Sequence, residues 1–556
     1  MLNLFYTPGS PPCRSVMLTA EALGLEINLI PMDLFKDDHK KSGFVELNPQ
    51  HTLPTLVYDD FVLWESRAIM VYLVETYGKD DNTLFPKDTK KQALINQRLQ
   101  YDLGTLYPTF IDQYYMWLFG YAKKTDEKEN RLHDALEFLE TFLKSSDWVA
   151  GDSMTLADIS LVATISTFEV SGVDLNRHEK VSKWLQRCKT KIVGYKDINQ
   201  VGVDRFKALI DDKLANTVAQ MEEVTKDDVF AAIEVLKKAV TAKIIDEEFS
   251  DSIQKINTAV SVYYLVFCLC VYLKVLLFLY LKKMDLYYTS FSAPCRSVML
   301  MAEILDLKLN LIPIDLKSRQ HLEKKFTDIN PQHILPTLVD DDFVLWESRA
   351  IIVYLVQNYG GDNSPLFSED TKIQALINQR LQFDMGTLYA PFVNQYSSWM
   401  FFKIPRTEYK ENKLHVGLKF FEDLLRDSWA AGDSMTVADV ALVASISTIE
   451  AVGVDLTKYT KISKWFENCK ATMKGYNEAN KEGIEVVKTM VANRKSEDKK
   501  KFEEPVEIEQ SVTNDDIVKA VKTLIQAVQH QVISLEYSEM LKKFESKIET
   551  KTPLKI

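Results

Sequence analysis

Between an apolar strand-like start and the first apolar helix, the stretch Pro8-Gly-Ser-Pro-Pro-Cys-Arg-Ser15 brings together a hydroxyl, a thiol and two prolines suited to a helix start. Ser10 stands where the helix begins. A helix N-terminus offers unpaired N–H groups and a partial positive charge, which stabilise an anion held there, a thiolate included. A serine hydroxyl at that point adds one more hydrogen bond to such a thiolate. Ser-x-Pro-Cys also has the form of a redox Cys-x-x-Cys whose first cysteine has become serine, which leaves Cys13 without an attacking partner and disfavours disulfide exchange. Serine is equally a common helix cap, so on this stretch alone Ser10 reads as well as a folding device as it does as a chemical group. The arrangement recurs as Ser290-Phe-Ser-Ala-Pro-Cys-Arg-Ser297, with Ser292 in the place of Ser10.

That recurrence belongs to a repeat of the whole chain. Asn-Pro-Gln-His-Thr-Leu-Pro-Thr-Leu-Val at 48–57 returns as Asn-Pro-Gln-His-Ile-Leu-Pro-Thr-Leu-Val at 330–339, and Phe-Val-Leu-Trp-Glu-Ser-Arg-Ala-Ile at 61–69 returns at 343–351. Solenoid units run to about 20–50 residues, so a unit this long means tandem domains, each folding alone. A weaker match between 224–233 and 512–521 gives each copy a helical tail. In copy one, Leu2–Tyr6 and Ile27–Met32 read as strands around an apolar helix at Val16–Leu23. Thr55–Val57 and Phe61–Leu63 read as a hairpin turned by Asp59-Asp60. Beyond Pro86 the periodicity is helical for more than a hundred residues, with Pro108 as the main interruption. Thr155-Leu-Ala-Asp158 reads as a capping box, matched by Thr436-Val-Ala-Asp439.

Composition narrows the function. At 556 residues the chain exceeds a single core, and 46% hydrophobic with 26% charged residues is ordinary for a globular protein. A net charge of −12 argues against a nucleic-acid partner. Six cysteines in so long a chain do not form a disulfide framework, and the N-terminal residues lack a secretory pattern, which points to a reducing, cytoplasmic setting.

Taken together, the N-terminal stretch, Asn-Pro-Gln-His-x-Leu-Pro-Thr-Leu, Trp-Glu-Ser-Arg-Ala-Ile and Gly-Asp-Ser-Met-Thr-Leu-Ala-Asp (151–158) resemble insect cytosolic glutathione S-transferases of the delta/epsilon type. The resemblance spans roughly 1–210 and 284–490. It implies an α/β thioredoxin-like glutathione-binding domain at 1–80 and an all-α substrate domain at 88–210, with a helical extension at 211–256. Copy two repeats them at 284–362 and 369–490, and 491–556 is left as a charged linker and helical extension. It assigns Ser10 and Ser292 to hydrogen-bonding the glutathione sulfur. It makes Leu53-Pro54 and Leu335-Pro336 cis-proline units that leave the leucine main chain free to pair with the cysteinyl part. It sets His51 and His333 beside the glycine carboxylate, with His39 and His321 as helpers. Ser66 and Ser348 receive the γ-glutamyl carboxylate, Glu65 and Glu347 face the ammonium, and Arg67 and Arg349 complete the set. Any one of these alone reads as a cap or a structural histidine; their joint appearance, twice, favours the functional reading.

The electrophile is expected against the helical domain, in an aromatic stretch of Tyr107, Phe110, Tyr114, Tyr115 and Phe119, with Tyr389, Phe392 and Tyr396 in copy two. Aromatics at helical spacing also suit a core or a dimer interface. Ser397 replaces Tyr115, so the copies should prefer different substrates if this stretch lines the pocket. Ser290-Phe291 replaces Pro8-Gly9, and a special backbone conformation at Gly9 would make copy two less active. The implied function is detoxifying conjugation of glutathione to hydrophobic electrophiles, with glutathione as co-substrate, no bound cofactor and no metal. The copies pair within one chain or as homodimers. The rivals are a glutathione-binding structural protein without turnover and a glutathione-dependent peroxidase or dehydrochlorinase.

An apolar run, Ala259–Leu281, lies within the linker 257–283 and is long enough to cross a bilayer, with Lys274 inside it. A crossing would separate two copies that both need glutathione. The run belongs to neither copy, and Met284-Asp-Leu-Tyr-Tyr resembles a natural start. Two neighbouring genes merged into one reading frame therefore explain the run better than a membrane anchor does.

Overall fold

The computed structural model describes residues 1–217, 284–425, 428–501 and residues 521, 522 and 524. The apolar run 259–281, Cys268 and Cys270, and most of both expected tails lie outside the described residues. Among the described residues no helix is long and apolar enough to cross a membrane.

Each copy opens on a mixed four-stranded sheet. In copy one, β1 (Leu2–Tyr6) pairs in parallel with β2 (Ile27–Pro31) and antiparallel with β3 (Thr55–Tyr58), which pairs antiparallel with β4 (Phe61–Trp64), giving the order β2-β1-β3-β4. The parallel pair needs a crossover, supplied by α1 (Pro11–Leu23), whereas β3 and β4 turn tightly at Asp59, which adopts φ 53°. After the short α2 (Ser42–Leu47), α3 (Ser66–Tyr77) packs with α1 to cover one face with Leu18, Ile69 and Leu73, all fully buried. Copy two repeats this as β5 (Met284–Tyr288), β6 (Leu309–Pro313), β7 (Thr337–Asp340) and β8 (Phe343–Trp346), in the order β6-β5-β7-β8.

The rest of each copy is helical. In copy one, α4 (Thr89–Tyr101) runs on through two wide π turns, Asp102–Leu106 and Ile111–Tyr115, as far as Leu118. Pro108 therefore does not break the helix. It lies inside the continuous run with a π turn on either side, and these wider turns accommodate a residue that has no N–H to give. Helix Leu156–Val170 is buried over nearly its whole length and opens with the expected capping box. Asp158 accepts from the Thr155 N–H at 2.9 Å, the Val149 N–H at 3.0 Å and the Trp184 indole at 2.9 Å. Asp439, Ala430 and Trp465 repeat it. The last described helix of copy two, Tyr476–Lys501, includes residues 491–501, which the sequence suggested as linker. Arg494, paired with Glu497 and Asp498, and the Trp399 indole donating to Asp498 at 2.8 Å, hold that stretch helical.

The two copies pack on one another around an approximate twofold relation. Helix α3 lies against Thr371–Phe383, and α4 lies against Ser348–Tyr359. The Gln97 amide donates to the Trp346 carbonyl at 3.3 Å, and Gln379 returns the bond to the Trp64 carbonyl at 3.4 Å. Trp346 and Ala375 of copy two join the apolar core of copy one, and Trp64 and Ala93 join that of copy two.

Candidate functional site

The first loop is fixed from below. Ser10 caps α1: its Oγ accepts the Cys13 N–H at 3.4 Å, and Ser292 does the same for Cys295 at 3.4 Å. Four residues on, Arg14 is wholly buried and donates to Ser166, Asn199, Thr167 and the Ala163 carbonyl of the helical domain. Its acceptors are all neutral, and burial lowers its pKa to about 10. Gly202 lets the last helix meet the loop, since a Cβ there would run into the Pro8 carbonyl and the Arg14 side chain; Gly483 stands in the same way against Ser290. Cys13 is fully buried, and burial pushes its thiol up to about 11, so it is protonated near neutrality.

The capping bond uses a lone pair of the serine oxygen, and the hydroxyl is also within hydrogen-bonding reach of the Cys13 thiol, as that of Ser292 is of Cys295. In copy two, Ser292, His321, His333 and Leu335 line one cleft of about 410 Å³ with Tyr389, Phe392 and Ser397. Leu53-Pro54 and Leu335-Pro336 are cis. His51 and His333 adopt φ 45° and 44°, Glu65 and Glu347 φ 69° and 71°. Left-handed conformations at bulky residues cost on the order of 1–3 kcal/mol and cluster at functional sites. Here four of them fall on residues singled out in advance, at matching places in both copies.

His39 stands in the one-turn helix Asp38–Lys40, its ring 5.9 Å from that of His51, with its buried Nδ1 unpartnered. His321 and His333 repeat the pair at 6.0 Å, again with an unpartnered Nδ1 on His321. Burial lowers the pKa of His39 and His321. Each pair meets an aromatic of the other copy: Phe420 lies edge-on to His51 at 6.1 Å, and Phe138 edge-on to His333 at 5.9 Å.

Glu65 precedes α3 without capping it, and the first backbone bond of that turn is Ile69 N–H to the Glu65 carbonyl. The N–H groups of Ser66, Arg67 and Ala68 thus form an open donor set, closed in copy two likewise by Ile351 and Glu347. Burial pushes both Glu65 and Glu347 up to about 7, with Arg67 and Arg349 opposing.

Three expectations are corrected by these positions. The Arg67 side chain does not join the donor set: it is buried and bonded to Asp102 at 2.5 Å, which also accepts from Ser160 at 2.6 Å and Thr164 at 3.0 Å. Arg349 is held by Asp384 in the same way. The reason is desolvation: Arg67 and Asp102 are both buried, and each offsets the other's loss of water. Tyr114 and Tyr396 lie in the core, each ring stacked on its neighbour, Phe110 or Phe392, and each O–H donating to a glutamate, Glu129 or Glu411, so Tyr396 does not line the cleft of copy two. Gly9 is not in the left-handed region, and Phe291 is likewise outside it, so the replacement carries no backbone strain. Tyr107, Tyr115 and Phe119 are half-buried, Tyr115 and Phe119 with ring centroids 4.7 Å apart, and Phe110 is core, stacked on Phe168 at 4.8 Å. Sequence reasoning missed Arg14, Phe206 and Val487. The recurrence of Cys-Arg-Ser at 13–15 and 295–297 was the available signal for the first.

Residues 9–76 and 286–363 each match the glutathione S-transferase N-terminal domain, and residues 84–191 and 380–472 match its C-terminal domain. The chain belongs to the glutathione S-transferase family, with both domains present twice. It is similar to a delta-class glutathione transferase of Nilaparvata lugens, at 46% identity over 38% of this chain and 100% of that one, with a TM-score of 0.38. An epsilon-class glutathione S-transferase from the housefly Musca domestica is 32% identical over 38% of this chain and 98% of its own, with a TM-score of 0.37. A glutathione transferase homologue of Drosophila mojavensis, solved with bound glutathione, is 33% identical over 38% and 97%, with a TM-score of 0.36.

Proposed function

We propose that each copy conjugates reduced glutathione to hydrophobic electrophiles by stabilising the glutathione thiolate, in a cytoplasmic setting and without a covalent enzyme intermediate. The observation that supports this reading is the place of Ser10 and Ser292, whose hydroxyls cap the first helix of each copy at its N-terminus, where turning the O–H outward offers a donor to a bound sulfur. The γ-glutamyl carboxylate takes the open N–H groups of Ser66 and Arg67, or of Ser348 and Arg349, and the ammonium takes Glu65 or Glu347 once ionised. The main chain of Leu53 and Leu335 pairs with the cysteinyl part. The glycine carboxylate lies by His51 or His333, with His39 or His321 behind. The electrophile occupies the apolar side, near Tyr107, Tyr115 and Phe119 in copy one and Tyr389 and Phe392 in copy two. Holding the two reactants together supplies the remaining acceleration.

The test is the double variant Ser10→Ala, Ser292→Ala in the full chain. Glutathione binding is retained and conjugation is lost. Undiminished conjugation at neutral pH overturns the serine mechanism.

A further inference from the structure

Two buried arginines of copy two are held in opposite ways. Arg349 is paired with the Asp384 carboxylate. Arg296, next to Cys295 on helix Ala293–Ile304, is fully buried and is held by neutral oxygens: it donates to Ser447 at 3.1 Å, to Asn480 at 2.5 Å, to the Ala444 carbonyl at 3.4 Å and to Thr448. Its Nε is buried without a partner. Arg14 repeats the arrangement in copy one, down to the unpartnered Nε.

A guanidinium buried among neutral groups loses its hydration without the offset that an ion pair gives. The titratable groups that face Arg296 supply none. Cys295 from its own helix, Tyr389 from the long helical run and Tyr476 from the last helix are all pushed up by burial and are neutral near pH 7. Helix Val437–Ala451 brings only the Ala444 carbonyl and the hydroxyls of Ser447 and Thr448. Burial lowers Arg296 to about 10, which leaves it charged there. The charge stands close to the chemistry, because Thr448, which accepts from Arg296, and Tyr389 both line the cleft of about 410 Å³ that Ser292 lines. Arg296 is thus one side chain behind the cleft wall. The histidines of that cleft, His321 and His333, are pushed below their usual value by burial.

We infer that Arg296, and Arg14 in copy one, is a buried cation left without a carboxylate so that the glutathione thiolate formed beside the serine becomes its counter-charge. It touches neither reactant, so it is a positioning residue: its field favours the ionised sulfur once the thiol proton has gone to water. This inference rests on the transferase reading above and adds a second group to the serine.

The experiment uses the full chain carrying Ser10→Ala, so that copy two reports, and reads the acid limb of kcat/KM against pH for a nitroaryl halide at saturating glutathione. An opposite charge within about 4–6 Å moves a pKa by about 1–3 units, so from one side chain further back Arg296→Met raises the limb by about one unit. Rates on the acid side fall about tenfold, and rates above the limb are kept. Asn480→Asp raises the limb likewise, because it supplies the missing carboxylate; it keeps the arginine clamp, so it reports even if the methionine variant fails to fold. Asn480→Ala is the control. Like the aspartate it loses the amide's bond to the Tyr476 carbonyl at 3.1 Å, but it adds no charge, so its thermal midpoint falls while its limb stays. A limb unmoved by Asn480→Asp, or moved as far by Asn480→Ala, overturns the inference and leaves Arg296 a clamp between domains. A Ser10→Ala chain without conjugation at any pH overturns the transferase reading of copy two itself.

Discussion

Replacing Ser10 separates its two tasks. The cap bond is long, at 3.4 Å, so its loss to alanine costs stability at the low end of the usual range, about 0.5 kcal/mol. A hydrogen bond to a charged acceptor is worth about 1.5–3 kcal/mol, and about 1.4 kcal/mol corresponds to one pKa unit. Without the O–H, the thiol of bound glutathione therefore titrates about 1–2 units higher. The assay is kcat/KM for the electrophile at saturating glutathione against pH, whose acid limb reports that thiol, in a Ser292→Ala chain so that copy one is read. Ser10→Gly is the control, since glycine caps a helix within a few tenths of a kcal/mol of serine yet carries no donor. Alanine and glycine variants should shift the acid limb upward equally, while alanine alone lowers the thermal midpoint. An acid limb that stays put in both would falsify the argument. A limb that moves only in the alanine variant would trace the effect to a loosened helix end.

Glu65 and Glu347, pushed up to about 7 by burial, keep their protons in the native state through a window where the unfolded chain has lost them. Stability should accordingly fall as pH rises from the usual carboxylate range, about 4.3, to about 7, and thermal midpoints of the Glu65→Gln, Glu347→Gln chain should be flatter there. Glutathione affinity should rise over the same interval in the parent and lose that dependence in the glutamine variant, by calorimetric titration. Arg67→Met leaves Asp102 buried with only Ser160 and Thr164 as partners, at a cost of about 3–5 kcal/mol, and adding Asp102→Asn should recover part of the lost midpoint in thermal unfolding. Because Phe420 of copy two lies on His51 of copy one, Phe420→Ala in a Ser292→Ala chain should raise KM for glutathione several-fold with kcat little changed. Phe138→Ala in that background should leave this KM alone, since Phe138 lies on His333; equal effects would contradict the crosswise contact.

Local physics made much of this fold legible. Strand periodicity located β1 and β2 to within a residue of their ends, the Asp59-Asp60 turn located the hairpin, and Thr155 with Asp158 located the central helix. The serine loop, the histidines and the Glu-Ser pair were legible because each sits at an element boundary, where residue type is dictated by caps and turns. What spacing did not reveal were the partners. Arg67 reads as a helix-start charge until Asp102 comes to it across 35 residues, and nothing in the spacing announces that Arg14 meets Asn199 across 185. Such contacts join polar groups of different elements and leave no periodic trace.

A duplicated chain nevertheless carries its own comparison, and differences that move together between its copies point to contacts. His133 bonds His178 through ring nitrogens at 2.8 Å in copy one; in copy two His415 is kept, and Tyr459 offers its hydroxyl at 2.7 Å in place of the second histidine. The partner changed while the bond was kept. Gly9 and Phe206 also differ together from Phe291 and Val487, but there no single bond or volume is kept. Reading Gly9 as a demand on its own backbone conformation went wrong, since neither Gly9 nor Phe291 is held in the left-handed region. A φ requirement would have kept glycine in both copies, and phenylalanine stands at that place in copy two with an ordinary backbone.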